Sequence, residues 1–481
     1  MSGYTLLPFQ FCRTGRDEVL LVSESGDFIF LPKEVFERFI RHELSEQDED
    51  FFRLKSHLFC AGEDVEVALQ KTAARYRTRK SFLREFTALH MLVVTLRCNQ
   101  RCRYCQVSCA EKDAAMYDMD EETAVRAVDM IFRSPTKHPK IEFQGGEPLL
   151  NWDVVTAAVI HAERLAAAQR KKVSFVLCTN LTAVTRDQLE FCREHDVVVS
   201  TSLDGDRSLH DACRRDRQGR GTYEAFMEKL ALAREVLGPD RVGALMTTTS
   251  FSLNHLKAVV DEYVRQGMDG IFIRALNPYG FAAEDEAELG YDMERFVEKY
   301  LEALEYIIEL NKKVFFPEQF ATLLFSRMLS PFATGFVDLQ SPSGAGIGGV
   351  IYDFDGSVFP ADEARMLARM GDRHFCLGNV GTDSYADIFA GEKLGNLTRG
   401  ACLETSFPCA FCAFQAYCGT DPVRNYLETG KEVRNMAHSP FCIKHRGIIM
   451  GLFDMLRRAD DMTMDIIWSW ITHNAGLVHR L

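Results

Sequence analysis

Long apolar runs are missing from this sequence: nothing approaches the ~18 consecutive apolar residues that a membrane-spanning helix needs. The opening Met1-Ser2-Gly3-Tyr4 carries no basic segment followed by an apolar core. No secretory signal is read there, and the expected compartment is the cytoplasm. A surplus of positive charge is missing too. The formal net charge is -13, which argues against sequence-independent nucleic-acid binding, since that relies on Lys and Arg neutralising phosphates. Neither a membrane nor a nucleic acid is an expected partner. Repeats and low-complexity linkers are also absent. What is present is ordinary for a globular protein, 47% hydrophobic and 26% charged residues. A length of 481 residues implies two or three domains. The unusual feature is fifteen cysteines. In a reducing compartment these are poor disulfide candidates. About half cluster at short spacings, as metal or iron-sulfur ligands do. Cys12, Cys60, Cys178, Cys192 and Cys213 are scattered and read as small buried hydrophobes.

Three regions and a tail are expected. In residues 1–87, Val19–Val22, a Ser25-Gly26 turn and Phe28–Leu31 read as a β-hairpin, followed by helical patterns. This is a small α+β module suited to peptide recognition. Residues 88–315 alternate short apolar runs with amphipathic stretches. Strands are expected at His90–Leu96, Ile141–Gln144, Val173–Thr179, Val197–Ser202, Val242–Thr248 and Gly270–Arg274. Repeated βα units imply a parallel sheet with right-handed crossovers, here a partial (β/α)6 TIM-type barrel. In such barrels the site lies at the C-terminal strand ends. Residues 316–455 are turn-rich and bear cysteines. Residues 456–481, with Trp468 and Trp470, read as a short packing helix.

Cys98-Asn99-Gln100-Arg101-Cys102-Arg103-Tyr104-Cys105 follows the first strand directly. Three thiolates bind three irons of a cubane and leave the fourth open to an exogenous ligand. Zinc is the competing reading, because Cys109 supplies a fourth thiol by count. The later strand ends favour the cluster. Gly145-Gly146-Glu147-Pro148 follows the second strand, with glycines that permit close approach and a carboxylate for an ammonium. Cys178-Thr179-Asn180 ends the third. Ser202-Leu203-Asp204-Gly205 ends the fourth, with His210 and Arg214 beyond it. Polar groups at strand ends are where a small-molecule site is built.

This combination resembles the radical S-adenosylmethionine superfamily over most of the chain. The resemblance implies a [4Fe-4S] cluster on Cys98, Cys102 and Cys105 that binds S-adenosylmethionine. Gly145, Gly146 and Glu147 would then hold its amino group. Asn180, Ser202 and Arg214 would contact its carboxylate and ribose, and Tyr104 would lie near its adenine. Arg215 and Arg217 compete with Arg214 for that role.

Cys409, Cys412, Cys418 and Cys442 form a second group, C-x2-C-x5-C plus one. It resembles the SPASM extension of radical enzymes that modify peptides and proteins, which typically holds two auxiliary clusters. Here Ser343-Gly344-Ala345-Gly346 and Val358-Phe359-Pro360-Ala361 stand where ligand cysteines of the first auxiliary site would be, and Pro422 stands four residues past Cys418. One auxiliary [4Fe-4S] cluster is therefore expected, with zinc as the alternative. Cys402 is a candidate fifth thiol or a core cysteine. Asp362 matches the position of a proton-accepting aspartate in sulfatase maturases.

Finer detail is similar to the radical maturase of His-Xaa-Ser peptide systems. It lies in Tyr76-Arg77-Thr78-Arg79-Lys80, Tyr104-Cys105-Gln106-Val107, Arg133-Ser134-Pro135, the stretch Ile141 to Leu150, and Cys418-Gly419-Thr420-Asp421-Pro422. That resemblance implies a ribosomally made precursor peptide as substrate, a second radical maturase beside this one, and an electron donor such as flavodoxin or ferredoxin. The expected chemistry is hydrogen abstraction by a 5′-deoxyadenosyl radical, modifying or crosslinking the peptide. Rival readings are a sulfatase maturase, a small-molecule radical enzyme, and a non-catalytic zinc adaptor.

Overall fold

The computed structural model describes residues 3–478 apart from positions 108, 112 and 114. Met1-Ser2, read above for a signal, and residues 479–481 of the expected tail lie outside the described residues.

The N-terminal strands are β1 (Thr5–Leu6), β2 (Phe9–Arg13), β3 (Glu18–Ser23), β4 (Phe28–Pro32) and β5 (Cys60–Ala61). β2, β3 and β4 form an antiparallel sheet, and β1 pairs with β5. The hairpin read from the sequence is thus the β3–β4 half of a three-stranded sheet. Val19, Leu21, Ile29 and Leu31 alternate onto one face and bury it against Phe36, Phe39 and Phe51 of the following helices.

The barrel strands are β6 (Leu89–Thr95), β7 (Lys140–Gly145), β8 (Ser174–Cys178), β9 (Val197–Ser202), β10 (Val242–Thr247) and β11 (Ile273–Arg274). All pair in parallel and in sequence order. Each lies within a few residues of its expected position, because strands covered on both faces read as short apolar runs. The architecture is a partial (β/α)6 barrel with an α+β module before it and a helical extension after it.

The sheet does not stop at the barrel edge. β12 (Gly349–Tyr352) pairs in parallel with β6, and β13 (Ser357–Phe359) and β14 (Gly378–Asn379) continue it antiparallel. One nine-stranded sheet therefore spans barrel and extension. The Tyr76–Lys80 motif joins the N-terminal module to the extension. Tyr76 Oη donates to Glu404 at 3.0 Å, Lys80 Nζ lies 2.5 Å from the same carboxylate, and Arg79 Nη1 donates to Arg327 O at 2.9 Å.

The expected boundary at 455 falls inside the helix Pro440–Arg458, which packs along Met293–Asn311. The tail helix Asp461–Thr472 buries Trp470 completely, and its Nε1 donates to Asn311 Oδ1 at 2.9 Å. Asn311 Nδ2 also donates to the carbonyls of Ile307 and Phe316, and its Oδ1 accepts from Phe316 N. Asn311→Ala orphans these buried groups, each worth about 1–3 kcal/mol. It should lower the thermal midpoint far more than Trp468→Phe in the same, partly exposed, turn of the tail helix.

Candidate active site

β6 ends at Thr95 and the chain turns at once into the cysteine loop. The loop doubles back: Ala110 N–H donates to Leu96 O at 2.7 Å and Cys98 N–H to Ala110 O at 3.3 Å. Arg97 anchors it through two bonds to the Asp118 carboxylate, at 2.7 and 2.6 Å. Cys98 is buried, and Cys102 and Cys105 are half-buried. Gln100 N–H points at Cys98 Sγ from 3.4 Å and Asn180 Nδ2 from 3.8 Å. Cys102 has Cys105 and Arg214 among its electrostatic neighbours. Burial pushes the Cys102 thiol up to about 12, so ionising it calls for a compensating cation such as iron.

The Gly145–Gly146 turn faces this loop directly. A Cβ at Gly145, where φ is +143°, would sit 1.9 Å from Thr95 O; one at Gly146 would sit 2.2 Å from Arg97 O. The close approach these glycines permit is therefore to the backbone of the cysteine loop. Gly146 N–H and Glu147 N–H complete the junction on Thr95 O and Arg97 O, at 2.8 and 2.7 Å. Glu147 is fully buried, and its carboxylate accepts from Thr179 Oγ1 at 2.7 Å, Asn180 N–H at 2.8 Å and Leu149 N–H at 3.2 Å. Burial outweighs these donors and raises its pKa to about 7. In this arrangement Glu147 ties three loops together, its carboxylate accepting three hydrogen bonds from the protein.

Ser202 ends β9 half-buried, paired with Leu245 of β10. Beyond it lies a buried triad that the sequence reading missed. Asp204 accepts from Tyr104 Oη and from Arg214 Nε at 2.9 Å, while the Arg214 guanidinium covers the Tyr104 ring at 5.2 Å. Asp204 stood in the strand-end motif; its role shows only once Tyr104 folds against it. The competing arginines separate by location. Arg217 braces the cysteine loop, donating to Cys98 O at 3.0 Å and pairing with Glu111 at 2.7 Å. Arg215 Nε donates to Asp211 O at 3.1 Å on its own segment, and its side chain is exposed.

Cys409 opens a short helical turn, Cys412 and Cys418 each follow the end of one, and Cys442 lies in the first turn of Pro440–Arg458. Cys409 and Cys418 each have Cys412 and Cys442 among their electrostatic neighbours, and Cys412 has Cys442. Cys402 does not join them: its Sγ points to Thr398 O at 3.6 Å, beside Glu404 and Lys80. The additional thiol near this set is Cys12 of β2, which has Cys412 as a neighbour, so it is more than a scattered core residue. Gln10 Nε2, on the same strand, donates to Ala410 O at 3.2 Å. Among the described residues no three His, Cys, Asp or Glu side chains converge as around a single metal ion. Both thiol sets, soft donors held on loops and seconded by amide or guanidinium donors, fit iron-sulfur clusters chemically.

A cavity of about 350 Å³ opens between the barrel and the extension. Gln144, Leu245 and Arg274 line it from the strand ends, and Asp362, Glu363, Asp421, Lys444 and His445 from the extension. Of the expected site residues only Asp362 lines it. Arg365, fully buried, holds the Asp362 carboxylate at 2.9 and 2.8 Å. Glu363, which the sequence reading passed over, has no such partner. Burial first, then the charges of Asp421, Asp338 and Asp362, push its pKa to about 8; burial raises Asp421 to about 6. Desolvation pushes half-buried Lys444 down to about 8, and buried His445 carries an Nε2 with no partner.

A sequence model of the radical SAM superfamily matches residues 92–273. The chain therefore carries a radical SAM domain. It is 24% identical over 278 residues to a cysteine-type anaerobic sulfatase-maturating enzyme of Clostridium perfringens, covering 55% of this chain and 71% of that one. The first curated relatives, two uncharacterized archaeal proteins, are matched over only 66% and 62% of their own length. Among solved structures, native anSMEcpe with bound AdoMet aligns at TM-score 0.64 and 18% identity, over 77% of this chain and 98% of that one. Streptococcus suis SuiB bound to its precursor peptide SuiA aligns at TM-score 0.54 and 13% identity, over 90% and 98%. These likenesses establish a shared fold. No described helix is long and apolar enough to cross a membrane.

Glu363 and Asp421 both hold protons more tightly folded than unfolded. Their contribution favours folding at acid pH and is lost as pH rises from about 4 to about 8. Glu363→Gln with Asp421→Asn should flatten the fall of the thermal midpoint across that range.

Proposed function

We propose that this chain is a radical S-adenosylmethionine enzyme that modifies a ribosomally made peptide of the His-Xaa-Ser type. The observation that carries this reading is the meeting of three loops. The Cys98–Cys105 loop, the Gly145–Glu147 turn and the Thr179–Asn180 strand end interlock at the ends of β6, β7 and β8, and Gln144, next to that turn, lines the cavity between the barrel and the cysteine-bearing extension. When bound, a [4Fe-4S] cluster and S-adenosylmethionine supply a 5′-deoxyadenosyl radical that removes hydrogen from unactivated carbon.

The chain's own residues do the rest. Cys98, Cys102 and Cys105 hold the first cluster, and Asn180 and Gln100 direct amide donors at its sulfur environment. Backbone groups of Gly145 and Gly146, with Asn180, Ser202 and Arg214, line the site for S-adenosylmethionine, and Tyr104 holds Arg214 in orientation. Cys409, Cys412, Cys418 and Cys442 hold one auxiliary [4Fe-4S] cluster. The cavity receives the peptide side chain away from water, and Asp362, steadied by Arg365, stands in reach as proton acceptor. SuiB with SuiA, and anSMEcpe with Cp18Cys peptide, supply precedent for a peptide in this fold. A flavodoxin or ferredoxin donor and a second maturase belong to the same reading.

The test is anaerobic. Reconstituted protein, S-adenosylmethionine and dithionite are incubated with a His-Xaa-Ser precursor peptide, and both deoxyadenosine and peptide mass are read. Deoxyadenosine together with a mass change is expected. Deoxyadenosine with unchanged peptide would sink the substrate assignment; colourless protein with stoichiometric zinc would sink the whole reading. Cys98→Ala, Cys102→Ala or Cys105→Ala should abolish deoxyadenosine formation. Cys418→Ala should lose about four irons per chain yet still cleave S-adenosylmethionine.

A further inference from the structure

We propose that the cavity between barrel and extension is a subsite for one flat, basic side chain of the peptide, an imidazole, held by the Glu363 carboxylate and the Nε2 lone pair of His445. This rests on the reading of the chain as a radical enzyme acting on a His-Xaa-Ser peptide, and it names the peptide residue that enters. The first observation is His445, which lines the cavity and is only 1% exposed. Its Nδ1 lies 2.9 Å from Phe441 O. A carbonyl oxygen only accepts, so Nδ1 carries the ring's proton. Burial keeps the ring neutral. Nε2 is then a bare lone pair, buried and without a partner. A buried acceptor in a cavity wall calls for an N–H or O–H donor on the occupant.

Charge sets a second requirement. Asp362 and Arg424 line the cavity but have partners outside its lining, Arg365 and Glu428, each at 2.8 Å. That leaves Asp338, Glu363 and Asp421 along the walls against Arg274 and Lys444. Among the described residues one negative charge of the lining is therefore uncompensated. Asp421 is engaged in capping its own helix, where it accepts from Arg424 N–H at 2.9 Å. No hydrogen bond or ion pair within the described residues engages the Glu363 carboxylate. Burial and the surrounding acids raise Glu363 to about 8, so at neutral pH a proton on this carboxyl answers the excess charge.

The rest of the wall is aromatic. Phe272, Phe320 and Phe336 pack ring to ring at 5.9–6.1 Å, and Phe320 and Phe441 flank His445 at 6.0 and 4.0 Å. All of them line the cavity, and such ring faces favour a planar cation. An imidazole satisfies donor, charge and shape together. On entry the Glu363 O–H bond breaks and an N–H bond forms on the imidazole; only the proton changes place. The product is an imidazolium beside a carboxylate, with its second N–H free for His445 Nε2. A carboxylate occupant would add to the unpaired acids. An aliphatic one would leave Glu363 and the Nε2 lone pair buried and unmet.

The test measures binding of labelled single-repeat His-Xaa-Ser peptides by fluorescence anisotropy. The full chain is reconstituted anaerobically and given S-adenosylmethionine but no reductant, so that nothing turns over. Replacing the peptide's histidine by asparagine should weaken binding to wild type about tenfold. Glu363→Gln should bind the histidine peptide as weakly as the asparagine one, which couples Glu363 to that side chain. Equal binding of the two peptides by wild type, or a preference kept by the variant, would overturn the proposal. If the variant does not fold, wild type decides with peptides methylated at one or the other ring nitrogen. Each lacks one N–H and should bind about tenfold more weakly; unchanged binding of either would overturn the proposal. So would a lysine peptide that binds as tightly as the histidine one. Each of these reversals leaves the functional reading intact if the histidine peptide still changes mass on reduction. A peptide that neither binds nor changes mass would overturn both.

Discussion

The backbone of Thr95, Leu96 and Arg97 and that of Gly145 and Gly146 press together so closely that no side chain fits between them. Two N–H groups of the turn donate across this contact into the carbonyls of Thr95 and Arg97. Everything at the strand ends depends on it. It sets the start of the cysteine loop relative to β7, and Glu147, next along the turn, then reaches across to β8. Its buried carboxylate collects Thr179 and Asn180, and Asn180 in turn points its amide at Cys98. Neighbouring strands in a parallel sheet place their C-terminal loops side by side. Here those loops are locked into one unit through hydrogen bonds that are costly to leave unmade in a buried setting.

The same sheet explains how the extension takes part. Because β12 adds to β6 in parallel and β13 returns antiparallel beside it, the segment after β13 delivers Asp362 and Glu363 to the cavity between barrel and extension. Arg365, one helical turn along, has both Asp362 and Cys105 among its electrostatic neighbours. The N-terminal module is fixed to the far side by Tyr76, Arg79 and Lys80, and its strand β2 brings Cys12 near Cys412. The extension is thus held between barrel and module, and both thiol sets sit at its joints.

Much of this was legible locally. The barrel strands and helices lie close to where hydrophobic periodicity put them, since each is a short segment whose burial pattern is written in its own residues. The cysteine spacing and the Gly145–Pro148 turn were equally plain. Three features were not. Asp204 was seen at a strand end, but its hold on Tyr104 and Arg214 links residues 100 and 10 positions apart. Glu363 was passed over for its neighbour Asp362, because only the packing of Asp421 and Asp338 around it makes it the strained carboxyl. Cys402 was the nearer extra thiol in sequence and Cys12 the nearer in space.

Sequence by itself determined the element order, the parallel barrel and the identity of the thiols, because spacing and periodicity are short-range properties of the chain. Tertiary structure alone decided which of those groups meet. It turned Gly145 and Gly146 into the seat of the cysteine loop, set Glu147 among three protein donors, and separated Arg214 from Arg217. Those outcomes depend on backbone approaches and buried charges contributed by distant segments, and the spacing of residues along a chain carries no record of them.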